Sequence, residues 1–147
     1  MKTLSKLFVA IAALVVSLAT LPCEGKIITS DKLPETALSF IKEYFPESTI
    51  SFAKKDAELS GTTYEVTLQD GTEIDFNGKG EWKKVDCKRT AVPGKLVPEV
   101  IAEYVQANFP GQLIVKIDKD RLGYEIELGN DLELKFDKNG KLKKIDD

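Results

Sequence analysis

Tyr64-Glu65-Val66-Thr67-Leu68 and Tyr124-Glu125-Ile126-Glu127-Leu128 carry one pattern, sixty residues apart. Apolar and polar residues alternate in both, which is the period of a half-buried strand. The register holds to the end of the chain: Glu73 meets Glu133, Phe76 meets Phe136, Gly80 meets Gly140, and Lys83-Lys84-Val85-Asp86 meets Lys143-Lys144-Ile145-Asp146. Nine of the 23 positions from 64 to 86 are identical in the later stretch. Upstream, Leu33-Pro34-Glu35 and Phe45-Pro46 recur as Val97-Pro98-Glu99 and Phe109-Pro110, at an offset of 64. Such self-similarity is read before single elements. It predicts two similar units, about 33–88 and 97–147, differing in length near Ala57 to Thr63.

Each unit reads as one helix followed by four strands. Pro34 suits a first helical turn, where its missing N–H costs nothing. Ala37, Leu38, Phe40, Ile41, Tyr44 and Phe45 make an apolar stripe at helical spacing, and Pro46 ends it. Pro98 to Pro110 repeats this through Val100, Ile101, Tyr104, Val105 and Phe109. The strands are placed at Ile50–Lys55, from Tyr64, around Ile74 and Phe76, and at Glu81–Asp86, with counterparts at Leu113–Lys119, from Tyr124, Leu132–Phe136 and Lys141–Asp146. Asp70-Gly71 and Asn130-Asp131 are hairpin turns. Short connections make neighbours antiparallel. The expected fold class is α+β: a tandem repeat of a helix plus a four-stranded antiparallel sheet, the helices packed on one sheet face. A unit of this size buries little core alone. The two are therefore expected to pack together as one longer curved sheet with both helices on one side, the opposite face staying polar.

Residues 1–25 read as an export signal. Lys2 and Lys6 precede an apolar run from Leu7 to Leu18, too short to span a bilayer. Cleavage after Ala19 and cleavage after Gly25 are both compatible with small residues at the site. The domain reading is signal 1–25, first unit 26–88, second unit 89–147. The expected location is periplasmic or secreted, with a soluble mature chain that does not span the membrane. Cys23 has three fates: removal with the signal, pairing with Cys87 in an oxidising compartment, or lipidation, which the preceding Pro22 disfavours.

Composition excludes several functions. The 147 residues contain no histidine, 21 Lys and Arg, and 24 Asp and Glu. Absence of histidine removes the commonest general base and metal ligand. Loss of Lys2 and Lys6 leaves a net charge of −5 or −4, without the basic stripe of a nucleic-acid binder. Two cysteines are too few for a disulfide framework, and a lone Cys87 without a base is a poor nucleophile. Asp137-Lys138-Asn139-Gly140 lacks the ligand spacing of a calcium loop and reads as a turn. No enzyme activity, catalytic residue, metal or cofactor is expected.

Glu65, Glu73, Asp75, Glu125, Glu127 and Glu133 fall on the polar strand face, where Lys84, Lys116, Lys135 and Lys144 supply opposite charges. Trp82, the sole tryptophan, shares parity with Lys84 against Val85. If Val85 faces the helix, Trp82 lies on the open face, as a binding anchor; Leu142 in the matching position favours packing instead. The candidate binding residues are Trp82, Glu65, Glu73, Glu125 and Glu133.

The stretch Leu33-Pro34-x-x-Ala37-x-x-Phe40-Ile41-x-x-x-Phe45-Pro46, with Tyr64-Glu65-Val66, Asp70-Gly71-x-Glu73-x-x-Phe76-x-x-x-Gly80-x-Trp82 and Val85-Asp86-Cys87-Lys88, resembles the PepSY-like proteins. These are small secreted proteins of Bacteroidetes, similar in arrangement to the β-lactamase inhibitor protein. The resemblance implies a tandem α+β fold and an envelope location, but no activity, and fold alone does not transfer inhibition. Two readings follow. One is a protein-binding module, an inhibitor or regulator of an unknown envelope enzyme, acting through the open sheet face. The alternative is an envelope protein binding a glycan, peptide or ion.

Overall fold

A computed structural model describes residues 25–147, so the export signal and Cys23 lie outside the described residues. Strand β1 (Lys26–Ile28) precedes helix α1 (Glu35–Tyr44). Strands β2 (Ile50–Glu58), β3 (Gly61–Leu68), β4 (Glu73–Asn77) and β5 (Trp82–Asp86) follow. Helix α2 (Glu99–Asn108) then leads to β6 (Ile114–Lys119), β7 (Gly123–Leu128), β8 (Glu133–Asp137) and β9 (Leu142–Asp146).

The prolines set both helices. Pro34 and Pro98 take φ of −55° and −54°, and their carbonyls accept the first helical amides, from Ala37 and Leu38 and from Ile101 and Ala102. At the other end Phe45 and Phe109 leave helical geometry, with φ of −133° and −132°. Each precedes a proline, whose ring disfavours helical backbone at the residue before it.

The expected repeat of a helix plus a four-stranded sheet is not the fold. The strands form one antiparallel sheet of nine, in the order β1 through β9. Two features overturn the four-strand unit. Residues ahead of α1 supply the extra strand β1, pairing Lys26 with Lys55 and Ile28 with Ala53. The fifth and sixth strands are also hydrogen-bonded neighbours: Lys84 lies opposite Asp118, Val85 opposite Ile117 and Asp86 opposite Lys116. The connecting segment reinforces this junction, as the Cys87 amide donates to Val115 O at 2.8 Å and the Val92 amide to Ile114 O at 2.9 Å. The physical reason is burial. A sheet ending at β5 would leave Val85 at an open edge, whereas β6 brings Ile117 beside it and both become fully buried.

One apolar row crosses the sheet through that junction: Ala53, Val66, Ile74, Val85, Ile117, Ile126, Leu134 and Ile145, each opposite the next. All but Ile145 are at most 1% exposed. Burying each aliphatic side chain contributes about 1.5–3 kcal/mol. Ala37, Phe40 and Ile41 of α1 and Ile101 and Val105 of α2 pack on this face in the same core. Phe40 meets Phe76 edge-on at 5.6 Å, and Tyr104 meets Phe136 in the same way at 5.5 Å.

Gly80 fixes how closely the β4–β5 turn approaches α1. Its φ is +81°, and an added Cβ would lie 2.8 Å from Pro34 Cβ and 2.9 Å from the Ala37 amide nitrogen. Gly71 has φ +90° but open space around it. Gly71→Ala is therefore expected to cost about 1–2 kcal/mol, from backbone alone. Gly80→Ala should cost at least about 1 kcal/mol more, because the helix must move away. Urea unfolding of the two variants measures the difference; equal losses would show that α1 does not rest on the turn.

Candidate functional site

Alternation places charge opposite the helices. Along the other sheet face one row runs Lys54, Glu65, Asp75, Lys84, Asp118, Glu125, Lys135 and Lys144, one residue from each of β2 to β9. A second row runs Thr67, Glu73, Asp86, Lys116, Glu127, Glu133 and Asp146. The first row balances its charges, whereas the second is strongly acidic. The middle of this face carries an open groove of about 760 Å³, with Glu65, Asp75, Lys84, Asp118, Glu125 and Lys135 in its lining. The β6–β7 turn, Asp120 to Gly123, forms part of its wall.

Lysines tie the acids together. Lys84 Nζ lies 2.9 Å from Asp75 Oδ2 and Lys135 Nζ 3.2 Å from Glu125 Oε2. Lys88 Nζ lies 2.9 Å from Glu73 Oε2 and 2.8 Å from Asp86 Oδ2. Lys116 sits between Asp118 and Glu127 at 3.8 and 3.6 Å. Burial acts to lower the Lys84 pKa, but the hydrogen bond and charge of Asp75, with Asp118 and Glu73, outweigh it and the pKa rises. At Asp118 burial wins over Lys116 and Lys84, and the carboxyl is held above its usual range. Asp86 goes the other way: burial opposes ionisation, yet the Lys88 ammonium and backbone amide pull its pKa down. The far oxygen of Asp75, Oδ1, and the Thr67 hydroxyl are buried without a protein partner.

The sequence-selected carboxylates therefore share one face. Glu65 and Glu125 line the groove, while Glu73 and Glu133 stand in the acidic row beside it. Glu133 lies opposite Glu127 and Asp146 and has no ion pair among the described residues. Trp82 is elsewhere. Val85 does face the helices, but a bulge in β5 places both Lys83 and Lys84 between Val85 and Trp82 while only Asp75 separates their partners Ile74 and Phe76. The extra residue reverses the parity, so Trp82 sits opposite Phe76 and stacks on Phe40 at 6.1 Å. It is half-buried, with Lys119 Nζ 3.9 Å over its ring. It lines a separate hollow of about 540 Å³ with Phe40, Lys119 and Arg121.

Asp118 was missed by sequence reasoning. Its signal was available in the alternation of Lys116, Ile117 and Asp118, but its position between Lys84 and Glu125 follows only from the β5–β6 pairing. The Asp137 turn behaves as a turn: Asp137 Oδ1 accepts the amides of Asn139 at 2.9 Å and Lys141 at 3.0 Å. Among the described residues no three His, Cys, Asp or Glu side chains converge to hold a metal ion. No helix among them is long and apolar enough to cross a membrane.

Residues 62–144 match the family described as candidate beta-lactamase-inhibitor-like, PepSY-like. Two solved structures from Bacteroides are similar over most of the chain. A candidate periplasmic protein of unknown function from Bacteroides vulgatus is 39% identical with a TM-score of 0.80, covering 82% of this chain and 98% of its own. A candidate calcium-regulated periplasmic protein from Bacteroides thetaiotaomicron is 38% identical with a TM-score of 0.79, covering 83% and 96%. Among curated proteins, none matches.

Two measurements probe the electrostatics of this face and of Cys87. A carboxyl with a raised folded pKa gives folding most help when protonated, and that help is lost as pH rises from the unfolded value through the folded one. Asp118→Asn is expected to be more stable than the parent at pH 7, the difference shrinking to nothing below pH 3.8; denaturant midpoints against pH read this. A parent more stable than the variant at pH 7 would show that the lysines dominate. Burial pushes the Cys87 thiol up to about 11. Native protein at pH 8 should therefore resist a thiol reagent at Cys87, with full reaction only after unfolding.

Proposed function

The chain belongs to the PepSY-like family and is periplasmic or secreted, and on that premise we propose that it is a binding module whose concave, charge-lined sheet face takes a protein partner of the envelope, acting as an inhibitor or regulator of that partner. The carrying observation is the unbroken charged row from Lys54 to Lys144 across the groove, beside the acidic row from Glu73 to Asp146. A face that mixes fixed positive and negative charges selects a partner by complementary potential, and mismatched charge is penalised. The excess of acid in the second row fits a partner surface presenting lysine or arginine.

The same arrangement gives no support to catalysis. Glu65, Asp75 and Glu125 are each paired with a lysine in an open groove, and at Asp118, the groove carboxyl held above its usual range, the charges of Lys116 and Lys84 act against that shift. A small ligand normally occupies an enclosed cavity that covers most of its surface, and this groove is partly open to solvent. The Trp82 hollow is the one observation that favours a small ligand, since its ring and the cations Lys119 and Arg121 lie together. One relative is described as calcium-regulated, so calcium belongs among the conditions tested.

The test is capture from envelope extract of the parent bacterium by immobilised mature protein, with and without calcium, read by mass spectrometry. A single stoichiometric protein is expected. Its affinity should fall by about tenfold or more in Glu65→Lys/Glu125→Lys and in Glu73→Lys/Glu133→Lys, with circular dichroism unchanged. Binding that survives both variants would reject this face. Loss on Trp82→Ala alone, with saturable binding of a cell-wall fragment, would move the function to the Trp82 hollow.

A further inference from the structure

The open edge of β9 has the chemistry of an edge that is already paired inside the molecule. In β5, Lys84-Val85-Asp86 faces Asp118-Ile117-Lys116 of β6: lysine against aspartate, aliphatic against aliphatic, aspartate against lysine. The matching residues of β9 are Lys144-Ile145-Asp146. They relate to β8 as the β5 residues relate to β4, with Ile145 opposite Leu134 as Val85 is opposite Ile74, and the same bulge follows. Yet β9 ends the sheet, and among the described residues nothing pairs with its outer side. Val85 is fully buried, whereas Ile145 is 44% exposed.

Backbone direction agrees. The Cys87 amide donates to Val115 O across the β5–β6 junction. Antiparallel pairs alternate between hydrogen-bonded and not, so Val85, two residues earlier, also turns its amide and carbonyl toward β6. Ile145, placed like Val85, turns its own amide and carbonyl to the open edge.

Lys-Ile-Asp read against itself in antiparallel sense gives Lys–Asp, Ile–Ile and Asp–Lys. We infer that β9 pairs with β9 of a second copy across a two-fold axis at Ile145, making a dimer whose two sheets run on as one. Lys144 of each copy then meets Asp146 of the other on the charged face, and the two Ile145 side chains cover each other on the helix face. The occupant is a second copy because this strand's charge pattern is complementary to itself, and because the β5–β6 junction shows that pattern paired in the required register. Closed two-fold association is the commonest form of homo-oligomer and ends at two copies. In the single chain Lys144 Nζ lies 2.6 Å from Asp146 Oδ1, so both charged groups already sit together at this edge. The inference goes beyond the partner-binding reading and does not depend on it: Lys144 and Asp146 end the two charged rows, but the pairing rests on the open backbone edge of β9 and on its self-complementary sequence.

Sedimentation of the exported protein, without a carboxy-terminal tag, tests this. A monomer–dimer equilibrium is expected. A monomer persisting at about 1 mM, or growth beyond the dimer, which would signal head-to-tail addition through β1, overturns it. Asp146→Lys places lysine against lysine and Lys144→Asp places aspartate against aspartate. Each variant alone should lose at least about tenfold in dimer affinity, with circular dichroism unchanged. Mixed in equal amounts, the two should form a one-to-one heterodimer, since every pair across the axis is again lysine with aspartate. The double variant Lys144→Asp/Asp146→Lys should dimerise with itself. Failure of both rescues, with the single variants folded, overturns the register.

Discussion

Where β5 meets β6, Val85 and Ile117 lie opposite each other with no exposed surface, and lysine–aspartate pairs flank them on the other face. Remove that contact and the chain becomes two small sheets, each with an unpaired apolar edge and half a core. A core from some fifty residues is marginal. With the contact made, the apolar row continues from Ala53 to Leu134, and α1 and α2 cover one common surface. The short connection from Cys87 to Val92 is hydrogen-bonded into β6 at both of those residues, so the junction is held by backbone as well as side chains.

The same pairing creates the groove. Strand parity assigns every second residue to the face away from the helices, so a join that aligns Val85 with Ile117 also aligns Lys84 with Asp118 and Asp86 with Lys116. Two charged rows thereby become continuous across strands from both halves of the chain. Bulges then release the strand ends from the alternation. In β5 the extra residue returns Trp82 to the helix side, where it stacks on Phe40. In β9 the corresponding shift sets Leu142 opposite Phe136, against the core.

Local signals were legible in the sequence and long-range ones were not. Pro34 and Pro98, Pro46 and Pro110, and the alternation from Tyr64 and from Tyr124 mark elements within three residues of where they lie. They act through nearest neighbours, so one chain suffices to read them. Three features needed the fold. The strand Lys26–Ile28 is too short to show a period and exists only because the β2 edge is there to pair it. The bulges have no residue signature here; counting by twos from Val85 puts Trp82 on the open face, while Leu142 in the matching position points to the packing that the bulge produces. The β5–β6 pairing gives the one longer sheet that the small size of each unit called for, but its register, which depends on residues thirty or more positions apart, could not be read from the sequence. Of the candidate residues, the four glutamates followed from parity alone and share the charged face. Trp82 did not, because it lies beyond a bulge, and Asp118 was overlooked because its neighbours are set by that junction.

Core packing and exposed charge are therefore divided between two faces of the same strands. On the helix side, truncating a buried aliphatic side chain removes packing that costs about 2–5 kcal/mol to lose. On the groove side, half-exposed pairs such as Lys135 with Glu125 are worth about 0–1 kcal/mol each. Asp118 is held against the cost of its burial, and Asp75 Oδ1 has no protein partner. Charge on this face can change while the fold persists, since the fold draws little from it. That separation lets one sheet carry a fixed core beneath a variable set of charges. On the proposed reading, the acids of this groove are available to a partner because they contribute so little to folding.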